Sequence, residues 1–273
     1  MCGRYVMARA TSDLVALGDA ETNEELVLRQ SWNVAPTAEV PILVAHADDG
    51  GAGVTRRIHV ARWGLVPPWA KGLSVGSRAF NARSETVASK PTFRAAVRAR
   101  RCAVPVEGYY EWKTPEPGAK GPDGRAAKKQ PYYVHPAGAG DGEGPVIWFA
   151  GLYEWWQDPE AKAAGEDAWV LSTTILTMAA PDADDDEPVL AALGQLHDRM
   201  PVPMDAETMD RWLAPDTLGS AEEADALVGE VCAGAYDVAA GWSLRPVGGA
   251  VGNVRNNGPE LTQEMREQQG TLL

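Results

Sequence analysis

VIWFAGLY (146–153) and AWVLSTTILT (168–177) are dense in β-branched and aromatic residues, which suit a pleated, packed surface. Similar strand-like runs occur outward from them, at 131–135 (PYYVH), 102–106 (CAVPV), 54–63 (VTRRIHVARW), 40–45 (VPILVA) and 242–247 (WSLRPV). A further short strand is expected over 1–8. Helices are predicted at 11–28, where Thr11 and Ser12 supply start chemistry ahead of Leu14, Val15 and Leu17. Others are predicted at 84–100, interrupted by Pro91, at 205–213 and at 220–232. Strands outnumber helices and do not alternate with them regularly. The pattern predicts an α+β fold with mainly antiparallel pairing rather than a doubly wound sheet.

The 28 glycines and 20 prolines make up about one residue in six of 273, which argues for many turns and against a helical bundle. Residues 114–130, 136–145 and 181–195 read as surface loops, the last beginning with an acidic run. None is long enough for an interdomain linker. No internal repeat, P-loop or GxGxxG occurs. Three cysteines without CxxC spacing argue against a disulfide scaffold and against structural zinc. The N-terminus lacks an apolar signal core, and no apolar run approaches the ~18 residues of a membrane span. A reduced, cytoplasmic setting without membrane contact is therefore expected.

The formal charge is −13, and an acidic protein is repelled by a phosphate surface. The chain is divided, however. Residues 1–114 hold 15 basic and 11 acidic side chains, whereas 115–273 hold 10 and 27. Between 56 and 101 there are 11 Lys/Arg and one acid, Glu85. A basic stretch thus sits inside the first half.

Cys2 carries the sharpest chemistry. Loss of Met1 would leave a cysteine with a free α-amine beside its thiol. Their ordinary pKa values, about 8 and about 8.5, keep reactive forms of both accessible near neutrality. Such a 1,2-aminothiol condenses with an aldehyde to an imine, which the thiol then closes to a thiazolidine. Taken alone, Cys2 reads equally well as a small residue in an edge strand.

MCGRY (1–5), NVAP (33–36), WGLVPPWA (63–70), FNARSET (80–86), GYYEW (108–112), HDRMP (197–201) and VGNVRNNG (251–258) follow in that order. Together they closely resemble the SRAP family, the SOS-response-associated proteins that process abasic sites in DNA. The resemblance runs from Cys2 to about residue 260. It implies a single domain over 1–262 with barrel-like antiparallel sheets flanked by helices. Surface insertions would fall at about 114–145 and 181–195, and a tail at 263–273. It implies that the chain binds single-stranded DNA and joins Cys2 covalently to the ring-opened sugar of an abasic site, shielding the lesion. The family's peptidase label implies self-removal of Met1, and an imine intermediate opens a lyase side reaction. No cofactor or metal is implied. The expected partners are the damaged strand and replication or repair machinery, for a monomer that is nucleoid-associated when at work.

By position in the motifs, Asn81, Glu111 and His197 become the polar partners of Cys2. Glu111, between Tyr110 and Trp112, suits a partly desolvated acid/base. His197 could hold or protonate the sugar's released hydroxyl. Asn81 offers a donor and an acceptor without charge. Arg4, two residues from Cys2, and Arg83, two from Asn81, are candidate phosphate clamps on the reactive face. Pro36, Trp63 and Trp69 are candidates to stack on or wedge between bases, although a Trp beside Gly and Pro also packs cores. Arg78, Thr177 and Arg199 complete the candidate DNA contacts. His46, His59 and His135 match no motif and read as structural or surface residues. Two rivals remain at this stage. Glutamine amidotransferase-like N-terminal-nucleophile hydrolases also begin Met-Cys-Gly, and a non-catalytic reader of modified DNA would need no nucleophile.

Overall fold

The computed structural model describes residues 2–22, 26, 28–48, 53–121, 123–138 and 144–265. Its centre is a closed barrel. Strand β1 (Arg4–Met7), helix α1 (Thr11–Leu17) and β2 (Ser31–Val34) precede the long hairpin of β3 (Glu39–Ala47) and β4 (Val54–Trp63). This hairpin is registered from Glu39↔Arg62 to Ala47↔Val54. The short β5 (Asn81–Arg83) and helix α2 (Arg94–Ala99) lead into β6 (Arg101–Val106), β7 (Gly108–Lys113) and β8 (Gln130–Pro136). Then come β9 (Ile147–Gln157), α3 (Pro159–Ala163) and β10 (Trp169–Ala179), the two runs on which the prediction rested.

Strands β10, β4, β3, β6 and β9 neighbour one another in that order, and β9 pairs back onto β10 from Trp169↔Gln157 to Ile175↔Gly151. Closure removes free edges from the strands it joins. Inside lie Ile42, Trp63, Phe149 and Ile175, all fully buried. The remaining elements are α4 (Pro188–Leu196), β11 (Arg199–Pro201), β12 (Pro203–Met204), α5 (Ala206–Leu213), α6 (Ala221–Ala233), α7 (Ala235–Ala239) and β13 (Trp242–Pro246).

A second, wholly antiparallel sheet runs β13-β8-β7-β1-β2. Its inner face meets the barrel through aromatic edges. Tyr5 packs on Trp63 with ring centroids 5.0 Å apart, and Tyr109 on Phe149 at 5.9 Å. Such edge-to-face pairs place a positive ring edge on a negative face.

The α+β class and the mainly antiparallel pairing agree with the sequence. Two exceptions are parallel: β4 and β5 both run alongside β10. Helix α1 ends at Leu17 rather than 28, and the helix expected over 84–100 is reduced to Arg94–Ala99. The loop expected over 181–195 is half helix. Pro188 starts α4 with a φ already suited to a helix, and Leu190, Leu193 and Leu196 bury one face of it. The acidic residues precede its N-terminus, where negative charge is favourable. Among the described residues no helix is long and apolar enough to cross a membrane, and no group of three or more His, Cys, Asp or Glu could hold a metal ion. The tail expected at 263–273 lies outside the described residues from 266 on.

Gly64 ends β4 with φ +127°, and its N–H donates to the Thr173 carbonyl at 2.7 Å. A Cβ there would stand 2.4 Å from the Gly76 carbonyl oxygen. Both the φ and the approach require glycine. Gly64→Ala should therefore cost at least about 2 kcal/mol in urea unfolding. Gly72→Ala, with extended backbone and open space around it, should change stability by less than about 0.5 kcal/mol.

Candidate active site

Cys2 lies just before β1 and is 0 % exposed. Its carbonyl accepts a hydrogen bond from Asn81 Nδ2 at 2.8 Å. The chain terminus is thereby tied to β5, which is held in turn by parallel pairing of Asn81 with Ile175 of β10. Asn81 Oδ1 is buried and has no hydrogen-bond partner. An open acceptor of this kind costs about 1–3 kcal/mol, and it is free to receive a proton donor brought into the site.

Glu111 approaches from the other sheet. Arg4 is registered with Tyr110, so Glu111 is the next residue of β7 on the Cys2 side. Alternation along β7 puts it on the inner face with Tyr109. It is 6 % exposed, and Oε1 accepts the Trp112 N–H at 3.1 Å. Burial, and then the negative charge of Glu111, push the Cys2 thiol well above its ordinary pKa. The thiol therefore rests protonated beside a carboxylate that could accept its proton.

His197 follows α4 directly. Its Nδ1 lies 2.7 Å from Asp198 Oδ1 and accepts the Arg199 N–H at 3.0 Å. Strand β11 docks on β10 at Ala179↔Arg199, two residues beyond Thr177↔Arg83. Asn81 is level with Ile175 and Arg199 with Ala179, so β5 and β11 flank the last residues of β10, with His197 two residues before β11.

The candidate DNA contacts divide by environment. Trp69 is 61 % exposed, Arg78 and Arg83 are exposed and Pro36 is half-buried. Arg4 reaches the Val251 carbonyl at 3.0 Å and Asn33 Oδ1 at 3.4 Å, both neutral acceptors, so its charge is held in place without being cancelled. Strand β1 begins only at Arg4, so strict alternation does not carry back to Cys2. Cys2 turns into the main core while Arg4 turns to the outer face at Val251.

Three expectations are corrected. Trp63 is fully buried against Tyr5 and donates Nε1–H to the Phe80 carbonyl at 2.9 Å, so it is a core residue and not a base platform. Thr177 is fully buried between β5 and β11. Arg199 is engaged by both Glu85 oxygens and by the Thr177 carbonyl, which makes it a clamp across β10 rather than a free phosphate ligand.

The basic stretch is similarly committed. Arg56 pairs with Asp210, Arg57 with Glu21, and Arg100 with Glu154, while Arg98 and the buried Arg101 bind carbonyl oxygens. Asn33 had no assigned role in the sequence reading. Its Nδ2 spans the carbonyls of Val251, Asn253 and Asn256 at 3.0–3.3 Å. It thereby links two of the quoted motifs, and their pairing is the signal that would have found it.

The signature of the SOS response associated peptidase (SRAP) family matches residues 1–254. The chain belongs to the SRAP family. It is 31% identical over 216 residues to the abasic site processing protein YoqW of Bacillus subtilis, covering 79% of this chain and 81% of that one. It is 27% identical over 256 residues to the abasic site processing protein HMCES of Rattus norvegicus, covering 84% and 64%. A crystal structure of a Bacteroides thetaiotaomicron protein shares the fold, with TM-score 0.69 at 21% identity over 97% of this chain and all of that one. A Bordetella bronchiseptica protein matches at TM-score 0.58 and 22% identity over 90% of this chain. In this SRAP chain MCGRY meets FNARSET and GYYEW at the N-terminus, NVAP meets VGNVRNNG through Asn33, and FNARSET meets HDRMP through Glu85 and Arg199.

The Glu85–Arg199 clamp has a pH signature. Hydrogen bonding from Arg199 holds the Glu85 carboxyl below its ordinary value near 4.5. Its contribution is present above that value and is lost as pH falls through the lower folded-state value. Half-exposed pairs of this kind contribute up to about 1 kcal/mol. Glu85→Gln should therefore lower stability at pH 7, with the gap to wild type closing progressively below about pH 4.5 in denaturant melts.

Proposed function

We propose that this SRAP protein binds single-stranded DNA at an abasic site and captures the lesion on Cys2 as a thiazolidine. The observation that carries the reading is the buried Cys2–Asn81–Glu111 cluster, with the terminus anchored by Asn81 and one Asn81 acceptor left open. Relatives named for abasic site processing support the substrate class. Met1, whose removal the reaction requires, lies outside the described residues.

The freed Cys2 amine adds to the aldehyde carbon of the open sugar. The carbinolamine expels water to give an imine. The thiol sulfur then bonds to the imine carbon, and its proton passes through Glu111 to the nitrogen. One water is lost in all. Because the thiol rests protonated, ring closure needs a base, and Glu111 is the adjacent one. Asn81 Oδ1 orients the amine, and His197 serves the sugar hydroxyl released on ring opening. Removal of Met1 by the same residues would account for the peptidase name. Arg4, Arg78 and Arg83 would hold phosphates, with Trp69 and Pro36 against the flanking bases. The partner is thus the damaged strand.

Single-stranded DNA with one abasic site should give an adduct that survives heat and SDS. Cys2→Ala and retention of Met1 should abolish it. Glu111→Gln should slow it about 100-fold, and Asn81→Ala about tenfold. Equal crosslinking by the Met1-retaining protein would overturn the mechanism. Ammonia release from glutamine without any DNA adduct would instead identify an amidohydrolase. Full DNA binding and biological function in Cys2→Ala would identify a pure reader.

A further inference from the structure

The outer face of the five-stranded sheet carries a cleft of about 350 Å³ that the lesion chemistry does not use. Val6 of β1 lies in its floor, on the opposite side of the strand from Tyr5. Tyr133 and His135 of β8 line it with nearly parallel rings, 19° apart in plane and 5.1 Å between centroids. Trp32 of β2 adds a third aromatic wall. The volume falls within the range of small-molecule sites, roughly 300–1,000 Å³.

Two arginines reach this cleft, and they differ. Arg9 has its charge paired with Glu107 at 3.8 Å and donates to the Gly144 carbonyl, although its buried Nε too lacks a hydrogen-bond partner. Arg245 is not so paired. It lies on β13 in register with Tyr133, its guanidinium centre 5.4 Å from that ring's centroid. Its Nε is buried without a hydrogen-bond partner, and no carboxylate pairs with it among the described residues. A fork-shaped cation with an empty buried donor selects an oxyanion. The stacked rings beside it select a flat, polarisable group. Burial keeps His135 below its ordinary pKa, which leaves Arg245 as the unpaired positive charge facing the rings.

We propose that this cleft is a nucleotide-binding site, with the phosphate on Arg245 and the base against Trp32 and the Tyr133–His135 stack. Asp13 and Gln30, also on its wall, supply hydrogen-bonding groups for a base edge. The nucleotide is either free or one unit of a bound strand. The site stands on its own observations and does not depend on Cys2 chemistry.

Calorimetric titration of the full chain with deoxyadenosine monophosphate, inorganic phosphate and deoxyadenosine tests it. The monophosphate should bind with a dissociation constant below about 1 mM, and at least about tenfold more tightly than either fragment. Arg245→Gln should weaken it about tenfold. Arg245→Lys, which keeps the charge but loses the planar fork, should fall between. Near-UV circular dichroism identical to wild type shows that the fold is retained. Two arms separate the sources. If Arg245→Gln weakens an undamaged ten-residue single strand by the same factor, the occupant is part of a strand. If strand affinity is unchanged while the monophosphate is lost, it is a free nucleotide. Inorganic phosphate binding as tightly as the monophosphate, or no effect of Arg245→Gln, overturns the proposal. Adduct formation on a minimal abasic trinucleotide should be untouched by Arg245→Gln, so this reading and the crosslinking reading fail separately.

Discussion

A single hydrogen bond, from Asn81 Nδ2 to the Cys2 carbonyl, joins the chain terminus to the barrel. Chain ends normally fray, because nothing offsets the entropy of ordering them. Under the proposed function the end carries the reactive group, so it has to be held. β1 lies between β2 and β7, so its backbone is paired on both sides. Asn81 then catches the residue that precedes the strand. Asn81 is itself set by β5, a three-residue strand that would not stand alone. It exists because β10 continues beyond its last pairings with β9, at Ile175↔Gly151, and with β4, at Thr173↔Trp63, and pairs there with β5 and β11. A strand of the barrel wall is therefore also what holds Asn81 in place.

Charge acts locally in this molecule. Five of the arginines between residues 56 and 101 are spent on ion pairs or carbonyl contacts within the fold. Arg101 alone binds carbonyls of residues 97, 98, 212, 214 and 216. What remains exposed for a phosphate backbone is a smaller set centred on Arg78 and Arg83. A net charge of −13 weakens general attraction to nucleic acid, and under the proposed function selectivity would fall to the chemistry at Cys2.

The strands were legible in the sequence because β-branched and aromatic runs announce a packed pleated surface whatever their partners. Partnership was not legible. The parallel pairing of β4 and β5 with β10 joins segments about a hundred residues apart and leaves no local trace. Trp63 and Trp69 share one motif and one chemistry, yet Gly64 turns the chain between them, so one fills the core and the other faces solvent. Arg199 and Glu85 look like independent surface charges until β5 and β11 flank the same strand end. Cys2, Asn81, Glu111 and His197 each stood in a recognisable motif, whereas the contact of Asn81 with the Cys2 carbonyl and its open acceptor emerge only from the packing.

Helix α4 acts as a ruler. Its leucines fix it against the core along one face, and His197 is the first residue past its end. Each residue of an α-helix advances 1.5 Å and turns about 100°. One inserted residue between Leu190 and Leu196 would thus swing the imidazole away by more than a quarter of a turn, or else expose a leucine. The acidic segment in front of Pro188 carries no such constraint. Length variation is tolerated on one side of that proline and forbidden on the other.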